Sequence, residues 1–453
     1  MRSIALASVL AAAVNLVTVV ASPTPTEPEQ PHKRASLPAV TASGNAFWQG
    51  STRFYIRGVD YQPGGSSAMK DPLADTTVCE RDITEFKKLG INTIRVYMTD
   101  NSANHDTCMN ALADAGVYLI VDVNNPLYSI NRFAPGPSYN AKYLQSVFAT
   151  IDEFVKYDNT LAFFSGNEVI NDNVTSTLSA RYVKATTRDM RQYISNRGYR
   201  KIPVGYSAAD VSQNRMQLAQ YMNCGSDEER SDFFAFNDYS WCNTNFATAG
   251  WGEKVKNFTG YGIPIFLSEY GCITNGRDFG EVKALMSDQM TSVYSGGLMY
   301  EYALEENGYG IVKIPSSDSA TVEEQPEFAK FAKALSANPA PTGSGGFTST
   351  TNSVPCPTKD ANWLIDSTEL PSLPDGAKDL MKTGAGAGPG LKGAGSQNAG
   401  TGDTGNATPS SAGSTATSSS KNSAGLTAGP LEKAPLIIAG LVCVLTMTGT
   451  LLL

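Results

Sequence analysis

The chain has 453 residues, of which 41% are apolar and 17% charged, and 35 Lys and Arg against 43 Asp and Glu give it a net charge of -8. This acidic balance argues against a nucleic-acid-binding protein that relies on a basic face. The only two histidines, His32 and His105, nearly exclude Ser-His and Cys-His hydrolases and histidine-rich metal sites. We therefore expect carboxylates to carry any acid-base chemistry, and we expect no metal and no cofactor.

The amino-terminal segment has the pattern of a secretory signal peptide. A largely apolar run, residues 4–20, follows a positively charged start and ends on small residues. We expect residues 1–21 to be removed, and a transmembrane anchor is the alternative. Residues 22–34 end on the dibasic pair Lys33-Arg34 and are a candidate propeptide.

The eight strand-like runs of the central part of the chain are short and apolar, and they alternate with amphipathic stretches. The runs predict buried strands, and apolar spacing near 3.6 between them predicts helices. This alternation predicts an α/β protein with a (β/α)8 TIM barrel in one domain, residues 35–340. A doubly wound open sheet is the alternative, although no Gly-rich phosphate loop follows the first run. The predicted strands are 54–59, 93–97, 118–123, 161–165, 202–206, 233–236, 263–267 and 298–302, and the predicted helices include 80–89, 143–157, 178–196 and 279–290.

The predicted barrel is followed by a post-barrel segment, residues 341–382, and by a stretch of low complexity. Residues 383–422 are almost entirely Gly, Ser, Thr, Ala and Asn. Such a composition buries too little surface to offset chain entropy and predicts a disordered, Ser/Gly-rich stalk.

The carboxyl-terminal segment has the order of a GPI-attachment signal. Small residues around Asn422 are followed by a short spacer and by a mostly apolar, uncharged tail, residues 436–453. We expect lipid attachment at Asn422 or Ser423 and removal of residues 423–453, with a tail-anchored or single-pass protein as the alternative. The sequence thus predicts a protein that is secreted to the cell surface and held on the outer membrane leaflet by a lipid.

The cysteines agree with an oxidising compartment. Of seven cysteines, six precede the apolar tail, and an even number in a secreted chain favours three disulfides, although fifteen pairings are possible. Three sequons, at Asn173, Asn257 and Asn406, are candidate N-glycosylation sites. The six cysteines are Cys79, Cys108, Cys224, Cys242, Cys272 and Cys356.

Two carboxylates stand out at the carboxyl ends of the predicted strands, where (β/α)8 enzymes place their catalytic groups. Glu168 ends the fourth strand and Glu269 ends the seventh. Cleavage of a glycosidic bond requires one protonated carboxyl group and one ionised carboxylate, about 5 to 5.5 Å apart in a retaining enzyme. We expect strands four and seven to lie on opposite sides of the barrel and to allow this geometry. Asn167 supplies an amide for a sugar 2-hydroxyl, and Tyr239 or Tyr270 is expected to orient the nucleophile.

Motifs at the strand ends match those of a known family. They are Phe54-Tyr55-Ile56-Arg57-Gly58-Val59-Asp60-Tyr61-Gln62-Pro63-Gly64-Gly65, Arg95-Val96-Tyr97, Gly166-Asn167-Glu168, Phe236-Asn237-x-Tyr239-x-Trp241-Cys242, Ser268-Glu269-Tyr270-Gly271-Cys272 and Tyr309-Gly310. In these motifs the chain resembles the fungal GPI-anchored β-1,3-glucanosyltransferases, glycoside hydrolase family 72. The resemblance implies a cell-wall enzyme that cuts inside a β-1,3-glucan chain and transfers the fragment to the non-reducing end of another glucan. Donor and acceptor glucan chains are the implied partners, and we expect a monomer.

The resemblance also assigns roles to individual residues. Glu168 becomes the acid/base and Glu269 the nucleophile. The alternative for the tyrosines among the implied glucan contacts is a place in the core, and the alternative for the aspartates is a helix cap or a partner of Arg95 or Arg215. The implied contacts are Gln62, Tyr97, Asp122, Asn167, Asp210, Arg215, Tyr239 and Tyr300.

The cysteine pattern of the family has two implications. The implied pairing is Cys79 with Cys108, Cys242 with Cys272, and Cys224 with Cys356. Only Cys356 lies between the barrel and the stalk, so the chain resembles the short type, without a Cys-rich carbohydrate-binding module. Three functions remain from the residues themselves: a retaining transferase, an endo-β-1,3-glucanase with the same site, or a glucan-binding protein without catalysis.

Overall fold

The structure, a computed structural model, describes residues 37–397 except for 66–67, 317–318 and 366–368. The expected signal peptide, propeptide and lipid-attachment signal, and the sequon at Asn406, lie outside the described residues. Within the described part of the chain, no helix is both long enough and apolar enough to cross a membrane.

Three short antiparallel strands precede the barrel, and the sequence analysis did not predict them. Phe47 from the middle strand is fully buried between Phe233 and Phe266, with ring centroids 5.9 Å from each. Because Phe233 and Ile265 begin their barrel strands, this sheet covers the amino end of the barrel. The three strands are β1 (Val40–Ser43), β2 (Ala46–Gln49) and β3 (Thr52–Phe54).

Eight parallel strands form a closed barrel, in which each strand pairs with its neighbour in chain order and the last closes on the first. This confirms the predicted (β/α)8 barrel. The strands are β4 (Ile56–Asp60), β5 (Thr93–Val96), β6 (Tyr118–Asp122), β7 (Thr160–Asn167), β8 (Val204–Ala209), β9 (Phe233–Asp238), β10 (Ile265–Tyr270) and β11 (Tyr294–Met299). A small hairpin, β12 (Val312–Lys313) and β13 (Glu323–Glu324), follows the barrel strands.

The eighth barrel strand differs from its prediction, since it spans Tyr294–Met299 rather than residues 298–302. Two glycines, Gly296 and Gly297, weaken the apolar pattern on which the prediction relied. The packing requires a glycine, because a Cβ at position 296 would lie 2.0 Å from the carbonyl oxygen of Ile56 in the neighbouring strand. The glycines that allow close contact between the two strands thus make this strand difficult to recognise from apolar periodicity.

Helices follow the barrel strands, and their ends agree with the prediction to within a few residues except for α8. That helix ends at Leu285, whereas the predicted helix extends to 290. Asp75 caps α1 by accepting hydrogen bonds from the backbone N–H groups of Thr77 and Val78. The helices are α1 (Thr76–Leu89), α2 (Asp106–Asp114), α3 (Pro135–Ser138), α4 (Ala141–Phe154), α5 (Ala180–Asn196), α6 (Arg215–Asn223), α7 (Trp251–Phe258), α8 (Gly280–Leu285), α9 (Pro326–Ala337) and α10 (Asp375–Thr383).

The described cysteines form three disulfides with the pairing that the resemblance implied. They are Cys79–Cys108, Cys224–Cys356 and Cys242–Cys272. The second ties the post-barrel segment to the end of α6. Trp363 in the same segment is fully buried, with its ring 5.4 Å from that of Tyr221. The segment therefore packs against the outside of the barrel.

The predicted disordered stalk begins too early in the sequence. Residues 384–397 are described and pack on the barrel, where the backbone N–H of Ala385 donates to the hydroxyl of Tyr193 over 2.9 Å. The glycine-rich composition predicted disorder, but glycine also permits close contact between two backbone segments or between a backbone and a side chain. A Cβ at Gly388 would lie 2.2 Å from Oδ1 of Asn101. The remainder of the predicted stalk lies outside the described residues.

Candidate active site

Glu269 lies in β10, and three donors hold its carboxyl group. The Tyr97 hydroxyl donates to Oε1 over 2.7 Å, and Nη1 of Arg95 donates to the same oxygen over 3.2 Å. The Tyr239 hydroxyl donates to Oε2 over 2.6 Å. No hydrogen bond joins Tyr270, the other candidate for this role, to Glu269 within the described residues. These donors favour an ionised carboxylate, which is the form that a nucleophile requires.

The pKa of Glu269 reflects opposing influences. Their net effect raises this pKa to about 7: burial raises it most and the nearby charge of Glu168 also raises it, whereas Arg95 and the hydroxyls of Tyr239 and Tyr97 lower it. Arg95, Tyr239 and Tyr97 therefore offset part of the effect of burial and favour the ionised form of Glu269.

Glu168 follows the last residue of β7 and has an unusual backbone conformation. Its φ angle is 48°, in the left-handed region that few residues other than glycine adopt. Backbone contacts fix this conformation, because its N–H donates to the carbonyl of Ser207 over 2.9 Å and Arg132 donates to its carbonyl over 2.5 Å. Strain of this kind concentrates at functional sites, where neighbouring structure maintains it. The Glu168 side chain is half-buried and lies close to that of Asn167, since both accept from Asn237.

Asn237 links the polar groups of the site. Its Nδ2 donates to Oε1 of Glu168 over 2.9 Å and to Oδ1 of Asn167 over 3.1 Å. Its own oxygen accepts from the hydroxyl of Ser268 over 2.8 Å. These bonds engage the oxygen of Asn167, whereas Nδ2 of Asn167 has no acceptor within the described residues. That amide is therefore available for a ligand hydroxyl, as predicted for a sugar 2-hydroxyl.

The two glutamates are closer along the barrel wall than the sequence analysis expected. Strands β8 and β9 separate β7 from β10, so the fourth and seventh barrel strands do not lie on opposite sides of the barrel. Asn237 spans this gap, since it donates to Glu168 and pairs in register with Glu269. The structure thus brings the two predicted catalytic carboxylates to one site.

Arg95 forms the floor of the site, although the sequence analysis did not include it among the site residues. Its guanidinium is fully buried, lies 4.6 Å above the ring of Phe164, and donates to Asp122 over 2.8 and 3.1 Å. The structure therefore supports the alternative interpretation of Asp122 as a partner of Arg95. Asp60 is also fully buried, 3.9 Å from Arg95, and burial raises its pKa well above the usual range.

Tyrosine rings line the opening beside Glu269. The ring of Tyr300 lies 6.1 Å from that of Tyr239, 6.5 Å from that of Tyr97 and 5.3 Å from that of Tyr309, in edge-to-face arrangements. Tyr97, Tyr239 and Tyr300 were predicted as glucan contacts, and the structure brings these three together. Pyranose rings have apolar faces that suit such a surface.

Three other predicted contacts are engaged within the protein. Gln62 is buried, accepts from the N–H of Met98 over 3.1 Å and donates to the carbonyl of Lys70 over 2.9 Å, which joins two loops at the barrel opening. Asp210 forms ion pairs with Arg215 and with Lys254. Contact of Gln62, Asp210 or Arg215 with glucan stays a prediction.

Asn167 and Val169, the residues on either side of Glu168 in the sequence, line a cavity of about 310 Å³. The predicted site residues Tyr97, Asp122 and Asn167 line it, together with residues 124–126, 129 and 130 of the loop after β6. Arg132 also lines the cavity and donates to the backbone carbonyl of Glu168. The cavity is mostly bounded by polar side chains, which suits a hydroxyl-rich ligand.

Arg95, Asn237 and Arg132 belong to the site, although they were not predicted as site residues from the sequence. A signal for Arg95 exists in the sequence, because it is a charged residue inside a buried strand, where burial requires ion-pair partners. Asn237 occurs in one of the motifs quoted above, but its bond to Glu168 depends on the packing of β7 near β9. Arg132 lies in a long loop, and no local pattern marks it.

Comparisons with known proteins identify the family. A family model described as Glucanosyltransferase, of glycoside hydrolase family 72, matches residues 30–337. The chain belongs to this family. The 1,3-beta-glucanosyltransferase gel1 of Aspergillus fumigatus is 59% identical over 385 residues, which cover 84% of this glucanosyltransferase and 83% of gel1. The 1,3-beta-glucanosyltransferase GAS5 of Saccharomyces cerevisiae is 49% identical over 360 residues, which cover 78% of this chain and 73% of GAS5.

A solved structure agrees with this membership of the glucanosyltransferase family. A glutamate-to-glutamine variant of Saccharomyces cerevisiae Gas2p, in complex with laminaritetraose and laminaripentaose, is 39% identical and superposes with a TM-score of 0.69. The match covers 75% of this chain and 76% of that structure. The barrel of this glucanosyltransferase thus has the same fold as an experimentally determined structure of a relative.

Proposed function

We propose that this protein is a retaining 1,3-β-glucanosyltransferase in which Glu269 is the nucleophile and Glu168 the general acid and base. The convergence of Arg95, Tyr97 and Tyr239 on the carboxylate of Glu269 is the observation that carries the assignment. A glutamate held by three donors is prepared for attack rather than for proton donation. The relatives named 1,3-beta-glucanosyltransferase and the laminari-oligosaccharide complex of Gas2p support a β-1,3-glucan substrate.

In the first half of the reaction, Glu269 attacks the anomeric carbon of a sugar unit within the donor chain. The glycosidic C–O bond breaks as the protonated carboxyl group of Glu168 gives its proton to the leaving oxygen. One fragment departs, and the other becomes an ester of Glu269 with inverted configuration. Asn167 binds the 2-hydroxyl of the reacting sugar through its available amide.

In the second half, Glu168 is a carboxylate and acts as a base. It removes the proton from a hydroxyl of the acceptor glucan, whose oxygen attacks the anomeric carbon and displaces Glu269. Two inversions restore the original configuration, and the acceptor becomes longer. Water in place of the acceptor gives hydrolysis with the same residues.

Incubation with a reduced laminari-oligosaccharide, followed by chromatography of the products, tests transfer. We expect chains longer than the starting material, and products that are all shorter would contradict transfer in favour of an endo-β-1,3-glucanase. Glu168→Gln removes the proposed acid and base, and Glu269→Gln removes the proposed nucleophile. Each substitution is therefore expected to reduce turnover by several powers of ten. Near-normal turnover in either variant would refute the assignment of that residue.

We also propose that the enzyme works at the cell surface as a monomer of the short type, held by a GPI lipid at Asn422. The signal-like and tail-like segments of the sequence and its cell-wall relatives support this location. Asn173 and Asn257 are exposed and therefore accessible to N-glycosylation. Release of the protein from cell membranes by a phosphatidylinositol-specific phospholipase tests the anchor, and retention after treatment contradicts it.

A further inference from the structure

A carboxyl-terminal segment, residues 384–397, crosses the outside of the barrel toward its opening, and we name it the strap. Its first part is fixed to two helices. Nε2 of Gln145 in α4 donates to the carbonyls of Ala385 and Ala387 over 3.0 and 2.9 Å, and the N–H of Ala385 donates to the hydroxyl of Tyr193 in α5 over 2.9 Å. The strap is thus anchored before it reaches the active-site opening.

The second part of the strap binds two loops at the carboxyl end of the barrel. The N–H of Gly390 donates to Oδ1 of Asn101, which lies after β5, over 2.9 Å. The N–H of Ser396 donates to the carbonyl of Leu127 over 2.8 Å, and the N–H of Gly395 donates to the hydroxyl of Tyr128 over 3.2 Å. These contacts fall on the loops that shape the opening.

The loop of residues 124–130, named the wall loop, lies between the strap and the cavity of about 310 Å³. Residues 124–126, 129 and 130 of the wall loop line this cavity together with Tyr97 and Asn167, whereas Leu127 and Tyr128 do not line it and contact the strap. The wall loop bonds to itself, since Asn125 and Tyr128 exchange backbone hydrogen bonds of 3.1 Å. Further bonds to its backbone and to Tyr128 come from the strap. The position of this wall therefore depends in part on the strap.

The glycines of the strap fit this role. A Cβ at Gly393 would lie 2.1 Å from the hydroxyl oxygen of Tyr128 and 2.9 Å from Cβ of Pro389, so only glycine allows the strap to approach the wall loop so closely. Gly395 also has a φ of 80°, which glycine adopts without strain. The glycine-rich composition is thus required by packing at these positions.

We propose that the strap positions the wall loop for glucan binding and thereby sets the affinity for sugar units beyond the one that reacts. Oligosaccharides that extend along the cavity contact the wall loop, whereas the reacting sugar contacts the glutamates and their partners. This inference rests on the proposed function for the nature of the ligand. It assigns the strap, which composition marks as stalk, to the substrate-binding part of the enzyme.

Binding measurements test the strap without turnover. In full-length protein carrying Glu168→Gln, isothermal titration compares laminaripentaose with laminaribiose. Adding Gly393→Val forces a side chain against Tyr128, and we expect the Kd for laminaripentaose to rise about tenfold, as for loss of one or two hydrogen bonds, with less than about twofold change for laminaribiose. The matched control is Gly343→Val, since no atom lies within 4 Å of a Cβ there. It is expected to change neither Kd.

Tyr128→Phe is a milder second variant that removes the acceptor of the Gly395 N–H and retains the ring. Its Kd for laminaripentaose is expected to rise about fivefold, again without a change for laminaribiose. Unchanged laminaripentaose binding in both variants overturns the proposal. An equal loss of affinity for both oligosaccharides also overturns it, provided that the Tm of the variants is the same as that of the parent protein. Because binding is measured apart from transfer, failure of the enzyme to lengthen glucan would refute the proposed function and leave this test intact.

Discussion

Removal of the Tyr239 hydroxyl gives a direct test of how Glu269 is kept ionised. In Tyr239→Phe the carboxylate loses the 2.6 Å hydrogen bond to Oε2, whereas the donors to Oε1 remain. A hydrogen bond to a charged group contributes about 1.5 to 3 kcal/mol, and one pKa unit corresponds to about 1.4 kcal/mol. The pKa of Glu269, which is already raised to about 7 with burial as the largest cause, is therefore expected to rise by about one to two further units.

The sign of the effect on activity follows from the proposed role of Glu269 as the nucleophile. A nucleophile must be ionised, so a higher pKa moves the acidic limb of the kcat/KM profile to higher pH. Below that limb, Tyr239→Phe is expected to lose about ten- to a hundredfold in kcat/KM, and the loss shrinks at higher pH. The assay is the initial rate of product formation from a reduced laminari-oligosaccharide, measured over a range of pH.

Tyr221→Phe provides the matched control. The Tyr221 hydroxyl is buried outside the site and has no hydrogen-bond partner within the described residues. Its removal is expected to leave the acidic limb in place. An unchanged limb in Tyr239→Phe, or a shift to lower pH, would refute the claim that this hydroxyl stabilises the ionised nucleophile.

Three other changes have expected outcomes. Asn237→Ala removes the 2.9 Å bond to Glu168 and is expected to lower kcat by about tenfold through misplacement of the acid, which single-turnover kinetics checks; unaltered kcat contradicts this role. Burial lowers the pKa of His105, but hydrogen bonds to two carboxylates outweigh this effect and raise the pKa to about 9. His105 therefore stabilises the fold by about 3 kcal/mol below pH 6.5, and this contribution is lost as pH rises through 9. In urea unfolding, His105→Gln should lower the free energy of unfolding much more at pH 6 than at pH 10. An equal effect at both pH values argues against ion pairs between His105 and the two carboxylates. Cys356→Ser opens the disulfide to Cys224 and is expected to cost about 2 to 5 kcal/mol, read from the same unfolding curves beside a reduced wild type.

Local sequence patterns were sufficient to predict much of the fold. Seven of the eight barrel strands were found at or near their positions because buried strands are apolar over their whole length, and the eighth was shifted by Gly296 and Gly297. Glu168 and Glu269 became candidates because a (β/α)8 barrel places its catalytic groups where strands end. The disulfide pairing came from the resemblance and not from spacing.

The tertiary structure alone decided which side chains support the two glutamates. Arg95 meets Glu269 across the barrel interior, and Asn237 meets Glu168 although the two are far apart in sequence. Such contacts depend on strand register and barrel closure, which no local pattern records. The strap was wrongly predicted to be disordered for a related reason. A glycine-rich sequence predicts disorder, and only the tertiary structure shows a neighbouring surface that requires glycine for close approach. The sequence by itself thus determined the barrel and the two glutamates proposed as catalytic, whereas long-range packing determined how those residues are held and what encloses them.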